Sequence, residues 1–303
     1  MSASPPALVL PRPGPALRNA RLRQLARWGL AAPALALVAV FLVLPYINIV
    51  FMSLRPPGTG APHGAGFTLA NYAGLLRDGY FAEVLADTLT LGISTSAICL
   101  LLGYPLAYHL ARTNSRFQSL LYVLVLSPLL VGVIVRSFAW LVLLSGNGVV
   151  NQALLELGLI DKALQLMNNR LGVTIALVHV FLPMMVLALL ANIQSIDPGI
   201  EAAARSLGAG WCKTFCRVTL PLSLPGIQAG TTLVFILAIS AYATPSMLGG
   251  TSMTTLSVLI VQNLLEQMRW PFGAALAFVL TLAGLAVVVL YACLLRRAMR
   301  GVH

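Results

Sequence analysis

Acidic residues are scarce in this chain: eight Asp and Glu among 303 residues, with charged side chains of all kinds at only 9%. A soluble domain carries roughly 25% charged residues, and so few could not cover a globular surface of this size. A soluble enzyme is excluded on that ground. Lys, Arg, Asp and Glu are absent altogether from Trp28–Leu54, Thr88–Ala111, Phe117–Val135, Leu171–Ile196, Val218–Leu265 and Trp270–Leu295. The carboxylates that an intramembrane protease or a proton- or sodium-coupled secondary transporter would place inside the bilayer are therefore missing. No His-Glu-x-x-His run and no nucleotide-binding P-loop is present. The four cysteines form no framework: Cys99 and Cys293 fall in apolar runs, and Cys212 and Cys216 sit four apart with no further ligand near them. Neither a metal nor a cofactor is expected in this chain.

The bulk of the chain is apolar: 59% hydrophobic residues and a mean hydropathy of +0.90. A bilayer core about 30 Å thick takes about 20 residues of helix at 1.5 Å each. Five of the charge-free runs each hold one span, the third continuing through Arg136 to about Leu144. The run Val218–Leu265 is too long for one and breaks at Gly249-Gly250 and the polar stretch after it. These runs predict an all-α membrane protein of six helices, with spans at about 29–54, 88–111, 119–144, 171–194, 222–247 and 272–295, within a permease domain over 28–300. Residues 1–27, with Pro5, Pro6, Pro11, Pro13 and Pro15 near the start, are expected to be a disordered basic tail. A signal peptide competes for the N-terminus, but the apolar run exceeds the 7–15 residues of a signal core.

The net charge of +11 tracks topology rather than nucleic acid, for which no binding is expected. With the N-terminus in the cytoplasm, inner segments hold Arg12, Arg18, Arg21, Arg23, Arg27, Arg112, Arg116, Arg205, Lys213, Arg217, Arg296, Arg297 and Arg300. Those thirteen basic residues meet two acids, Asp197 and Glu201, whereas the outer segments hold five basic residues and six acids. The bias toward Lys and Arg on one side predicts an N-in, C-in arrangement.

One inner connection, 195–221, carries its own design. Asp197-Pro198 is a helix start, the carboxylate capping free N–H groups and the proline wasting no donor. Glu201 lies in the first turn, where negative charge suits the helix dipole. Ala202, Ala203 and Ala204 are strong helix formers of little bulk, and Gly208 is placed to end the helix in a left-handed conformation. A second short helix is expected over Trp211–Val218, stopped by Pro221. Such a compact helix–Gly–helix either rests on the membrane surface or plugs into a groove on another protein.

Here a resemblance enters. ATP-binding-cassette importer permeases carry a signature of Glu-Ala-Ala, three residues, Gly, nine residues, an aliphatic residue, any residue, then Leu-Pro. From Gly208, the nine residues Ala209–Arg217 lead to Val218, Thr219, Leu220 and Pro221, which fits the second half. In the first half the three slots hold Ala202, Ala203 and Ala204, and the acid, Glu201, comes one position early. The chain resembles the spermidine/putrescine-type branch over roughly residues 30–300. It does so through Leu102–Tyr108, Val135–Trp140, His179–Met185 and Trp270–Ala275 as well. The resemblance implies the type I importer permease fold in a bacterial inner membrane and a heteromeric assembly. That assembly contains a second permease, expected to be a paralogue, two cytoplasmic ATPases that bind the ATP and magnesium, and a periplasmic solute-binding protein. It also implies that Glu201, Ala202–Ala204, Gly208, Ala209, Leu220 and Pro221 couple to the ATPase. This chain would then be non-catalytic. The implied solute is a polyamine, with opines, aminophosphonates, thiamine and ferric iron open as alternatives carried by the same machinery.

Candidates for the translocation path are the polar groups inside spans. Arg136 reads either as a gate residue paired with acid or carbonyl groups or as a structural arginine that snorkels. His179, four before Pro183, reads as a solute contact or a packed, hydrogen-bonded side chain. Trp140 lies one turn from Arg136. Tyr242, Thr244, Pro245 and Ser246 form a polar, kinkable segment suited to a gate or a plain kink. Gly226 and Gly230 form a small-xxx-small pair that permits close helix approach.

Overall fold

Helices account for nearly every segment of the computed structural model, which describes residues 15–58, 63–113, 115–250 and 252–300, and no strand occurs among them. The chain divides into two compact units, one ending at Phe51 and one starting at Met52. The first unit is carried by α1, Pro15–Ser53. Residues 1–14 of the expected tail lie outside the described residues, but 15–27 is helical rather than disordered. The proline cluster ends at Pro15, a harmless first-turn position, and Ala, Leu and Arg dominate residues 16–27.

The second unit begins with α2, Ala70–Arg77, and α3, Gly79–Arg112, whose cap is the Asp78 carboxylate accepting the Tyr80 N–H at 3.0 Å. α3 is longer than the expected span and carries Glu83 and Asp87 on its first turns. Two short pieces, α4 (Gln118–Leu126) and α5 (Val133–Leu144), replace the single helix expected over 119–144. Between them Ser127–Leu130 tightens into a 3₁₀ turn around Pro128, and Val131 and Gly132 are extended. Proline cannot donate to the helix ladder. The run that crosses a bilayer by length and apolarity is Val133–Glu156, which includes α6, Val149–Glu156.

α7, Arg170–Ser195, is capped by Asn169 and passes through Pro183 unbroken. α8, Pro198–Ser206, and α9, Trp211–Thr214, form the connecting loop. The second loop helix is not stopped by Pro221, as expected, but runs on into α10, Leu220–Ser240. A wide turn over Phe215–Thr219, in which the Leu220 N–H reaches the Phe215 carbonyl, absorbs the missing proline donor. α10 ends before the expected span does; α11, Ala243–Leu248, comes after a break at Ala241-Tyr242. The last elements are α12, Leu256–Val261, and α13, Trp270–Arg300. Among the described residues, six stretches are thus long and apolar enough to cross a membrane.

Three helices make the centre. Cys99, Tyr104, Ala107 and Leu110 of α3 pack with Met185, Val186, Leu189 and Ile193 of α7 and with Ile227 and Val234 of α10. Glycine lets them approach: a Cβ at Gly226 would lie 2.6 Å from the Asn192 Cβ, and one at Gly230 would lie 2.7 Å from the Met185 Sδ. The small-xxx-small pair is therefore the α7–α10 contact.

Candidate functional site

The loop between α7 and α10 is held from inside. Asp197 accepts the Gly199 N–H at 2.8 Å, the cap its sequence predicts. α8 closes on Gly208 at φ +84°, with the N–H groups of Leu207, Gly208 and Ala209 bonded to the carbonyls of Ala203, Arg205 and Ala204. Only glycine takes that conformation cheaply.

Glu201 turns inward, away from the exposed side of the loop. Its side chain is buried, 4% exposed, and turned into its own chain. The carboxylate accepts from Arg112 Nη2 at 3.0 Å and from the Thr219 hydroxyl at 3.1 Å, and the Tyr108 hydroxyl donates to its other oxygen at 3.4 Å. Arg112 also donates through Nη1 to the Ile196 carbonyl at 3.1 Å. Exposed on α8 and the turn after it are the small or apolar Ile200, Ala202 and Ala203, Leu207 at 90% exposure and Trp211, beside Arg205 and Ser206. Trp211 stacks on Phe215, whose edge meets Tyr104 and Tyr108 of α3. Ala204, Ala209, Leu220 and Pro221 are half-buried behind that surface.

At the opposite end of the bundle the path candidates separate. Trp140 Nε1 donates to His179 Nδ1 at 3.2 Å with the rings edge to face, so these two form one unit between α5 and α7. Thr244 is 1% exposed, and its hydroxyl shares a 2.9 Å hydrogen bond with Ser137, tying α11 to α5. Tyr242 is exposed at the α10–α11 break. Arg136 has Nε and Nη1 buried with no hydrogen-bond partner among the described residues. Asp87, an acid expected to face outward, pairs with Arg170. Two cavities, of about 370 and 630 Å³, lie along α3 and α10, walled mainly by apolar and aromatic groups, and neither includes Arg136, His179 or Tyr242. Such walls do not hold a polar solute.

Residues 99–300 match the family described as binding-protein-dependent transport system inner membrane component. The chain belongs to that family. It is 35% identical over 253 residues to the spermidine/putrescine transport system permease protein PotB of Escherichia coli K12, a match covering 83% of this chain and 92% of the relative. The counterpart in Haemophilus influenzae is 30% identical over 83% of this chain and 87% of its own length. Among solved structures, a bacterial alginate ABC transporter in complex with an alginate pentasaccharide-bound periplasmic protein has a chain that superposes with a TM-score of 0.68 at 19% identity. That match covers 91% of this chain and 96% of the other. The inward-facing MetNI methionine transporter matches at 0.53 and 14% identity, over 73% of this chain and 95% of the other. The fold is therefore the ABC importer permease fold, in a multi-pass inner-membrane protein whose role is transport.

Loop, glycine turn and Leu-Pro step were legible in the sequence. Arg112, Tyr108 and Ile196 as partners of the loop were not, and the only signal for Arg112 was its place at the end of a charge-free run.

Proposed function

We propose that this chain is one of two membrane-spanning subunits of an ATP-driven importer for a polyamine of the spermidine/putrescine class. The observation that carries this is the likeness to permeases named for those solutes over nearly their whole length. ATP is hydrolysed by a pair of partner subunits in the cytoplasm, and a periplasmic binding protein delivers the solute. The small apolar face around Ala202, Ala203, Leu207 and Trp211 seats in the ATPase, since an exposed apolar patch beside charged loops marks a contact surface. Both termini are cytoplasmic, by the Lys/Arg asymmetry. The two apolar cavities support a path shared with a second permease rather than enclosed by one chain. Within it, Tyr242 offers a ring face suited to a cation.

Arg136 favours a second reading. Two open guanidinium nitrogens inside a span attract a carboxylate or phosphonate and repel a polycation. An opine or aminophosphonate importer is the alternative on that observation. The test is uptake in cells that neither make nor import polyamines, expressing this chain with its partner subunits. Labelled spermidine or putrescine accumulates if the first reading holds. Uptake of a labelled aminophosphonate or opine, with no polyamine uptake, would replace it by the second.

A further inference from the structure

The buried carboxylate of Glu201 gathers the ends of every central helix. Arg112 is the last residue of α3, Ile196 comes directly after the last residue of α7, and Thr219 directly precedes α10. All three reach Glu201 directly or through the Arg112 guanidinium, which bridges the Ile196 carbonyl and the carboxylate. Tyr108, one turn before Arg112, adds a fourth strut. α8 has little else to hold it: its other side-chain bonds, from Arg205 and Ser206, stay within the helix, and most of its surface is exposed. On the far side of the loop, helix continues from Trp211 through Ser240, so the loop end of α10 is stiff. Removing one member of a buried ion pair leaves an uncompensated charge, which is far costlier than losing a surface contact.

From this we infer that Glu201 is a positioning residue: it does not meet the ATPase but clamps α8 to α3, α7 and α10, so that a push on α8 moves the three central helices together. The inference rests on the importer reading above. It departs from the expectation that the signature acid makes the contact with the motor, and assigns that contact to the neighbouring alanines and the Leu207–Trp211 turn.

Two variants of the assembled importer in proteoliposomes test it, with three readouts: ATPase subunits retained on purification, ATP hydrolysed, and solute imported per ATP. In Glu201→Gln the amide keeps the shape but opens the ion pair. Its expected behaviour is full retention of the ATPase with solute imported per ATP down about tenfold, the size of an ordinary coupling energy. The reciprocal variant, Glu201→Arg with Arg112→Glu, restores a pair with the signs exchanged and is expected to regain most of the loss. The inference is overturned by loss of the ATPase from Glu201→Gln, which would make Glu201 the docking contact. It is equally overturned by unchanged import per ATP, or by a reciprocal variant no better than the single one, including the case in which neither assembles. Failure of the importer reading itself is distinguishable, because then the unaltered chain retains no ATPase at all.

Discussion

Gly226 and Gly230 face the same helix yet meet different atoms there. At Gly226 an added methyl runs into the Cβ of Asn192, which cannot move without its backbone; at Gly230 it meets the sulfur of Met185, near the end of a flexible side chain. Overpacking of a tight contact costs about 1–3 kcal/mol. Gly226→Ala is therefore expected to lower the thermal midpoint of the purified protein in detergent clearly more than Gly230→Ala, and equal losses would contradict the geometry. Gly208 is a different case. Nothing lies within 4 Å of its missing Cβ, so only the φ of +84° resists a side chain. Gly208→Ala should cost about 1–2 kcal/mol of left-handed strain, read as weaker retention of the ATPase, since its added Cβ meets no other atom. These glycines were legible from spacing and from position after a capped helix. The surroundings of Glu201 were not, because its partner Arg112 is 89 residues away along the chain and no local pattern announces a contact of that range.

Helix breaks arise where backbone groups are left without partners. Pro245 has no N–H for the carbonyl of Ala241, four residues earlier. That carbonyl accepts the Ser257 hydroxyl at 2.6 Å instead, which joins the α10–α11 break to the start of α12. Ser257→Ala leaves a carbonyl open inside the bundle, a loss of about 1–3 kcal/mol. It is expected to destabilise the protein in detergent more than Ser246→Ala, whose hydroxyl bonds only within its own helix. The polar run Tyr242–Ser246 was readable as a place where span five bends. The break at Val131-Gly132 was hidden, because the run Phe117–Val135 stays charge-free across it and hydropathy has no term for a proline-led change of direction. Thr244 lies in the same run as Tyr242, and its hydroxyl is met by Ser137 across the chain.

Across the whole molecule, charge is divided unevenly between alternate connections. The segments assigned to the cytoplasm carry thirteen Lys and Arg with Asp197 and Glu201 as their only acids. Glu201 is paired with Arg112, which leaves twelve basic residues against the single acid Asp197. On the other side Asp87 is paired with Arg170, and five acids remain against four basic residues. Positive charge of this kind is retained on the cytoplasmic face during insertion. In the orientation proposed above, both termini lie with the α8 loop in the cytoplasm and residues 157–169 lie outside. Fusions decide this without any transport assay. A phosphatase that folds only in the periplasm is expected to be active when joined after Gly158 and silent after Arg116. A fluorescent protein that matures only in the cytoplasm should light up when joined after Arg300. The reverse pattern would place the α8 loop outside the cell, out of reach of ATP, and would remove the coupling role from Ala202, Ala203 and Trp211 together with the clamp behind them.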